Sequence, residues 1–161
     1  MKMLDIGCGD NKKQGAIGYD SRKTAATDIV GDAQSLPFQD EEFDHIYSSH
    51  LIEHFSHREV KSVLKEWVRC LKRGGTMEVR CPWLRIRAFL FFLRPSWSNV
   101  SQIYGGQEYD GNYHKCGFSF GLLKGLLEEC GIENVRRVRN PKGYMGIPFL
   151  PDCLHVKGTK R

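Results

Sequence analysis

The tripeptide Gly7-Cys8-Gly9 directly follows the apolar run Met3-Leu-Asp-Ile, and aspartates stand at positions 5, 20 and 32. A strand stopped by glycine makes a sharp turn where the backbone lies close to a ligand. Carboxylates near such a turn accept hydrogen bonds from hydroxyls or cationic groups. A dinucleotide fingerprint would need a third glycine at position 12 and an acid about 20 residues further on. Position 12 is lysine, and Asp20 follows Gly9 by only eleven residues. No helix N-terminus is therefore expected for a pyrophosphate, and nicotinamide chemistry is excluded. Histidines supply the other reactive groups, in Ser49-His-Leu-Ile-Glu-His54 and in Asn112-Tyr-His-Lys115. An imidazole titrates near neutrality, so His114 and His50 are the candidates for moving a proton. His114 also suits a plain surface position, and Glu53 and His54 suit hydrogen bonding at a strand-to-helix junction. Asp5 and Asp44 suit turn capping as well as ligand binding.

The six cysteines contain no C-x-x-C pair, the nearest two being Cys70 and Cys81. No metal site is expected from that spacing, and reduced thiols are expected in the absence of a secretory signal. With 161 residues, 40% hydrophobic and 27% charged, the chain is one globular domain that buries roughly 70% of its unfolded surface. Its longest apolar run is Ala88–Leu93, far short of the roughly 20 residues that span a bilayer. A soluble, cytoplasmic domain is expected. The net charge of +5 is unevenly placed: residues 1–55 carry −5, residues 56–132 carry +5, and residues 133–161 another +5. Solvated faces or two differently charged regions around one site both suit this distribution.

Short strands are expected at Met3–Gly7, Ile17–Asp20, Thr27–Val30, Phe43–Ser48 and Thr76–Arg80, with two later ones at Val135–Val138 and Cys153–Val156. The pattern Val60, Val63, Leu64, Trp67, Val68, Leu71 puts one apolar stripe on a helix spanning His57–Leu71. Ser56 and Glu59 suit a capping box at its start, and Gly74 a stop at its end. A second helix covers about Ser119–Cys130. Alternation of this kind specifies an α/β domain with a mostly parallel sheet. Nine residues separate the first two strands and seven separate Asp20 from Asp28, whereas a parallel crossover ordinarily takes a dozen or more. The first crossover helices should be shortened or missing, and one face of the sheet thinly covered.

The ordered series Leu4-Asp-Ile-Gly-Cys-Gly9, Ile17-Gly-Tyr-Asp20, Gly31-Asp-Ala-Gln-Ser-Leu-Pro-Phe38, Phe43-Asp44, Ser49–His54 and Leu71-Lys-Arg-Gly-Gly75 resembles the class I S-adenosylmethionine-dependent methyltransferases. It is most similar to a short branch resembling sugar or small-molecule methyltransferases. The resemblance is dense over residues 4–82 and looser over 105–132. It implies a Rossmann-like sheet in a single domain, 1–161. Residues 1–82 would be the cofactor-binding half, 83–118 a lid and substrate segment, and 119–161 a C-terminal helix with strands. No N-terminal cap is expected, since only two residues precede the first strand. The resemblance further implies S-adenosylmethionine as cofactor, with Gly7, Cys8 and Gly9 under its methionine part and Asp5 toward its ammonium. Asp20 and Ser21 would stand at the ribose. Asp32, Ala33, Gln34 and Leu36 would stand at the adenine. A carbonyl of Ser49 or His50 would meet the ammonium.

The segment Pro95–Gly117 mixes Trp97, Tyr104, Tyr109 and Tyr113 with amides and Asp110, which suits either a polar, hydroxylated acceptor or an ordered surface loop. Arg80, Arg85 and Arg87 suit a phosphate or carboxylate, or solvent. Phe89–Leu93 is expected to pack over the cleft or against a second copy, giving a homodimer through residues 84–117. The leading expectation is an enzyme that methylates a small polar acceptor such as a sugar. The alternatives are an RNA methyltransferase and a non-catalytic subunit completed by a partner. Nucleic acid is not the expected partner, because the basic tail is not interleaved with stacking aromatics apart from Tyr144.

Overall fold

A computed structural model describes residues 1–139 and 153–161; Tyr144 lies outside them. Seven strands form one sheet: β1 (Met3–Ile6), β2 (Ile17–Asp20), β3 (Ile29–Val30), β4 (Phe43–Ser49), β5 (Leu71–Cys81), β6 (Ile132–Arg137) and β7 (Leu154–Lys160). Their order is β3-β2-β1-β4-β5-β7-β6. The first five run parallel, and β7 is antiparallel to both its neighbours. Among the described residues four α-helices accompany them: α1 (Val60–Cys70), α2 (Leu84–Leu93), α3 (Trp97–Tyr104) and α4 (Phe120–Glu129). No helix stands between β1 and β2 or between β2 and β3, as the crossover lengths require.

The α1 stripe packs as its spacing dictates, with Val60, Val63, Leu64, Trp67 and Val68 all buried. They share one apolar cluster with Leu4, Ile6, Ile46, Met77, Val79 and Val156 of the sheet, and with Leu123 and Leu127 of α4. Trp67 is fully buried, and truncating such a side chain to alanine costs about 3–5 kcal/mol. The helix begins at Val60, the first residue of its stripe and three residues after the expected start at His57. Only half of the capping box forms: the Ser56 N–H donates to Glu59 Oε2 at 2.8 Å, while the helix has no side-chain cap. At the other end, Leu71 pairs with Phe43 and Thr76 with His45, so Lys72–Gly75 bulge out of register. Gly74 supplies the left-handed turn there, at φ 74°, and Lys72 pairs with Asp44 at 2.8 Å.

The opposite face of the sheet is polar. Registered neighbours share a face, and Asp5 lies beside Tyr47, Tyr47 beside Glu78, and Glu78 beside Lys157. The chain between β1 and β2 covers part of this ladder with one side chain: Lys13 reaches Glu78 at 3.3 Å and sits over the Tyr47 ring at 4.0 Å. Glu78 also meets Lys157 at 3.0 Å and His155 at 3.2 Å. Burial alone would raise the Glu78 pKa, but the Lys157 hydrogen bond, the Lys13 charge and His155 outweigh it and hold the carboxyl at about 2.

This network generates a prediction about acid stability. A carboxyl depressed on folding contributes stability above its ordinary value of 4.5 and loses it as pH falls through that value toward 2. With partners one-third exposed, the contribution is on the order of 1–3 kcal/mol. Thermal unfolding of Glu78→Gln should show a lower midpoint than the parent at pH 7, and the gap should close between pH 4.5 and 2. A gap independent of pH would remove the network's electrostatic role.

Candidate functional site

The sheet order reverses between β1 and β4, and ligands of open α/β sheets bind in the crevice beyond the strand ends at such a point. A cleft of about 660 Å³ opens there. Gly7, at the end of β1, adopts φ 73°, and a Cβ on it would come within 2.8 Å of the Leu51 side chain. Its N–H donates to the Tyr19 carbonyl at 2.7 Å, tying the loop to β2. On the other side of the crevice His50 adopts the left-handed conformation, at φ 55°, and its N–H donates to the Arg80 carbonyl at 2.9 Å. A non-glycine residue in that region stores strain. The strain sits where β4 gives way to the single 3₁₀ turn Ile52–His54.

Asp5, Gly7, Cys8, Gly9, Asp20, Ser21, Asp32, Ala33, Gln34, Ser49 and His50 all line this cleft. Asp20, at the end of β2, accepts the Gly9 N–H at 2.8 Å on one oxygen and the Arg22 N–H at 2.9 Å on the other. Each oxygen keeps a lone pair. Asp5 accepts the Lys13 N–H at 2.7 Å, and burial raises its pKa above the usual carboxylate value against that bond. Asp32 accepts the Gln34 N–H at 2.9 Å. The loop after β3 is clamped by α1: Trp67 Nε1 donates to the Ala33 carbonyl at 2.8 Å, and Arg69 to the Leu36 and Phe38 carbonyls. Leu36 is the exception among the expected cofactor residues. It is buried in the core, its N–H donating to Glu66, and stands outside the cleft wall because α1 pulls its loop inward.

The 83–118 segment contributes less than its composition suggests. Tyr109, Asp110, Gly111 and Lys115 line the cleft, with Arg22 over the Tyr109 ring at 4.7 Å. Trp97, Tyr104 and Tyr113 do not line it, so the expected aromatic wall reduces to Tyr109. Phe89–Leu93 does not cover the cleft either. Phe89, Phe92 and Leu93 of α2 are more than half exposed, because the helix is apolar on every side and only part of it meets protein. Arg80 lines the cleft, Arg85 is exposed, and Arg87 is buried away from it.

His114 stands behind the lining residues beside Glu53 and His54. The Glu53 carbonyl accepts the Lys115 N–H at 2.9 Å, so the 3₁₀ turn carries the 113–116 strip. The His114 Nδ1 donates to the Ile103 carbonyl at 3.2 Å, and its Nε2 lies 4.0 Å from Glu53 Oε1. Burial lowers its pKa, against the Glu53 charge, which keeps the ring neutral at pH 7 with its lone pair on Nε2. The Cys153 sulfur and the Glu53 carboxylate raise the His50 pKa to about 9. His50 is therefore a cation at neutral pH and a poor proton acceptor, which corrects its expected role as a base. Sequence reading missed Arg22, Tyr47 and Lys115 in the walls; no local signal marks them, since each arrives from a different strand end or loop.

This reversed sheet, with a glycine turn and aligned carboxylates at the switch point, defines an α/β domain with its cleft where such sheets bind ligands. Residues 14–79 match the family described as methyltransferase domain. The human protein described as probable tRNA methyltransferase 9B is 28% identical, over 80% of this chain. The chain spans about a third, 36%, of that relative's length. Among solved structures, a Thermotoga maritima S-adenosylmethionine-dependent methyltransferase, described as a possible histamine N-methyltransferase, superposes with TM-score 0.64. It is 20% identical and matches 99% of this chain and 82% of its own. An Archaeoglobus fulgidus methyltransferase gives 0.66 at 16% identity, with 99% and 86% covered. A Haloferax volcanii methyltransferase solved with the Trm112 activator gives 0.62 at 14%, with 99% and 82% covered. Residues 14–79 thus resemble a methyltransferase domain, and the fold is the one shared by these S-adenosylmethionine-dependent methyltransferases.

The Gly7 geometry yields the prediction here. Gly7→Ala must displace Leu51 and occupy a left-handed conformation, so the loop should shift. Calorimetric titration with S-adenosylmethionine should show affinity reduced at least tenfold, with the helical circular dichroism retained. Parent-like affinity would mean that this turn does not face the ligand.

Proposed function

We propose that the chain binds S-adenosylmethionine in this cleft and transfers its methyl group to a small polar acceptor, a sugar or sugar derivative being the class favoured. The observation that carries the reading is the row Asp5, Asp20 and Asp32 at or just beyond the ends of three adjacent parallel strands, beside Gly7, whose left-handed backbone and contact with Leu51 make a larger residue strained there. The residues fit the cofactor: the two Asp20 oxygens keep lone pairs for two ribose hydroxyls, and Asp32 with the Ala33 N–H suits an aminopurine edge. Asp5 and a carbonyl of Ser49 or His50 suit the ammonium. When bound, the cofactor supplies a methyl group activated by a sulfonium. The protein's contribution is alignment: Tyr109, Asp110 and Lys115 hold the acceptor. The neutral His114 Nε2 meets its proton, with Glu53 steadying the ring.

Two further readings have specific support. An RNA acceptor draws on the name of the human relative and on the basic residues 133–161. A subunit completed by a partner draws on the Haloferax neighbour solved with its activator. Retention of tRNA that falls steeply with salt would favour the first. The fit of a reducing, cytoplasmic setting rests on the six cysteines, among which no disulfide forms. No described helix is long and apolar enough to cross a membrane.

The deciding experiment pairs two variants. Asp20→Ala should lose tenfold or more in S-adenosylmethionine affinity, since each hydrogen bond to a charged acceptor contributes about 1.5–3 kcal/mol. His114→Ala should keep that affinity and lose roughly 10²-fold in turnover of the accepted substrate. Unchanged cofactor affinity in Asp20→Ala would sink the reading. We also propose that Phe89, Phe92, Leu93 and Trp97, all exposed, meet a second copy. Sedimentation should show a dimer that Phe92→Glu converts to monomer; a parent that stays monomeric at high concentration would dismiss it.

A further inference from the structure

Glu53, His54 and His114 converge just behind the cleft wall, which His54 alone of the three lines. One carboxylate oxygen and one ring nitrogen from each histidine all lie within 4.8 Å of one another. Glu53 is 1% exposed, and neither of its carboxylate oxygens accepts a hydrogen bond. His50 Nδ1 comes within 3.3 Å of Oε1, an ion-pair contact that lacks hydrogen-bond alignment. A carboxylate buried in this way is costly unless a positive group completes its surroundings.

His114 is oriented as a metal-bound histidine is, with Nε2 toward Glu53, and His54 is anchored by a backbone carbonyl in the same way. His54 Nδ1 donates to the Tyr113 carbonyl at 3.0 Å, and His114 Nδ1 to the Ile103 carbonyl at 3.2 Å. A backbone carbonyl on one ring nitrogen fixes the tautomer and leaves the lone pair on the other, Nε2. The rings meet edge to face with centroids 5.1 Å apart. His50 meets Oε1 alone, Oε2 keeps no partner, and the His114 Nε2 lone pair faces the same carboxylate at 4.0 Å, so a second cation between them would complete the arrangement.

We propose that Glu53, His54 and His114 bind a divalent transition-metal ion whose open positions face the cleft and take the acceptor's hydroxyl or amine. Two imidazoles and one carboxylate suit zinc or ferrous iron, and imidazole disfavours magnesium and calcium. Bonds of about 2.0–2.1 Å place ligand atoms roughly 3.3 Å apart, so the trio closes by about an ångström on binding. With the ion in place the His114 lone pair is committed to it. The acceptor's group then meets the metal instead, and coordination acidifies it so that its proton leaves to solvent. The identity of that last ligand rests on the methyltransferase reading; the ion's binding does not. The sequence expectation of no metal looked for short-range ligand spacing, and here the third ligand is 60 residues from the second.

The test titrates the chelator-stripped protein with zinc, and separately with cobalt, each alone. One equivalent should bind at micromolar concentration or tighter, with cobalt developing the visible absorption of a four- or five-coordinate nitrogen and oxygen site. Glu53→Gln, His54→Ala and His114→Ala should each weaken binding at least tenfold. S-adenosylmethionine titrated into the same variants should bind within threefold of the parent, which shows that they remain folded. His54→Ala separates the metal from a simple base at His114, which does not need His54. Metal affinity unaltered by these variants, binding below one equivalent, or a near-ultraviolet thiolate band that places the ion on cysteine would each overturn the proposal. Metal binding of the expected kind in a protein that fails to bind S-adenosylmethionine would uphold the site and overturn the methyltransferase reading.

Discussion

The constraint on which the rest depends is the length of the first two crossovers. Parallel strands whose connections are too short to form a helix cannot be covered on the face those helices would occupy. The sheet therefore buries one face only, under α1 and α4, and fills the other with Asp5, Tyr47, Glu78 and Lys157 in register. An exposed apolar face of that size would be an aggregation surface. The chain avoids this with a charge network in which one carboxylate, Glu78, gathers Lys13, His155 and Lys157. Lys13 does the work of an absent helix, joining the β1–β2 connection to the middle of the sheet.

The same short connections bring the cleft together. Because Asn11–Ala16 returns directly to β2, the Gly9 N–H falls on Asp20, and the Asp5 carboxylate receives the Lys13 N–H. The two carboxylates that shape the ligand side of the cleft are thereby also the caps of its loops. Their hydrogen bonds to backbone leave lone pairs over, so holding the loop and holding a ligand are not exclusive. The opposite wall is fixed differently, by the strain at His50 and by α1 reaching the Ala33 carbonyl through Trp67. Trp67 thus links the deepest part of the core to the loop beside Asp32.

Most of the sheet was legible because its strands are short runs punctuated by glycine and aspartate, and α1 because its stripe is unbroken. The polar face was legible in principle too. Thr76-Met-Glu-Val-Arg-Cys81 alternates polar and apolar, the mark of a strand buried on one side. The short crossovers marked that face as thinly covered, and only the register shows which side chains fill it. The lining of the cleft around β1 to β3 was legible at nearly every residue because each lining residue lies at, or just beyond, the end of its own strand. Leu36 failed since nothing local shows that Glu66 and Arg69 of α1 draw its loop into the core. The acceptor end was scarcely legible. Whether Trp97 or Tyr109 faces the cleft depends on how residues 95–117 fold back, and that is decided by backbone contacts with the 3₁₀ turn rather than by composition.

Glu53 is where these two ends meet. Its carbonyl accepts the Lys115 and Cys116 N–H groups and so fixes the strip that carries His114. Its side chain, buried a few ångströms away, faces His50 on one side and His114 on the other. Backbone and side chain of a single residue thus set both the position and the charge of the acceptor end. A change that moves the 3₁₀ turn moves the loop, the two histidines and the carboxylate together. Because the turn follows directly on β4, and β4 flanks β1 at the switch point, the acceptor end is held in register with the glycine turn through the sheet itself. On the proposed methyl-transfer reading, that rigid path would keep donor and acceptor in line in a domain with few covering helices, a requirement that alignment-driven catalysis places on the backbone more than on any one side chain.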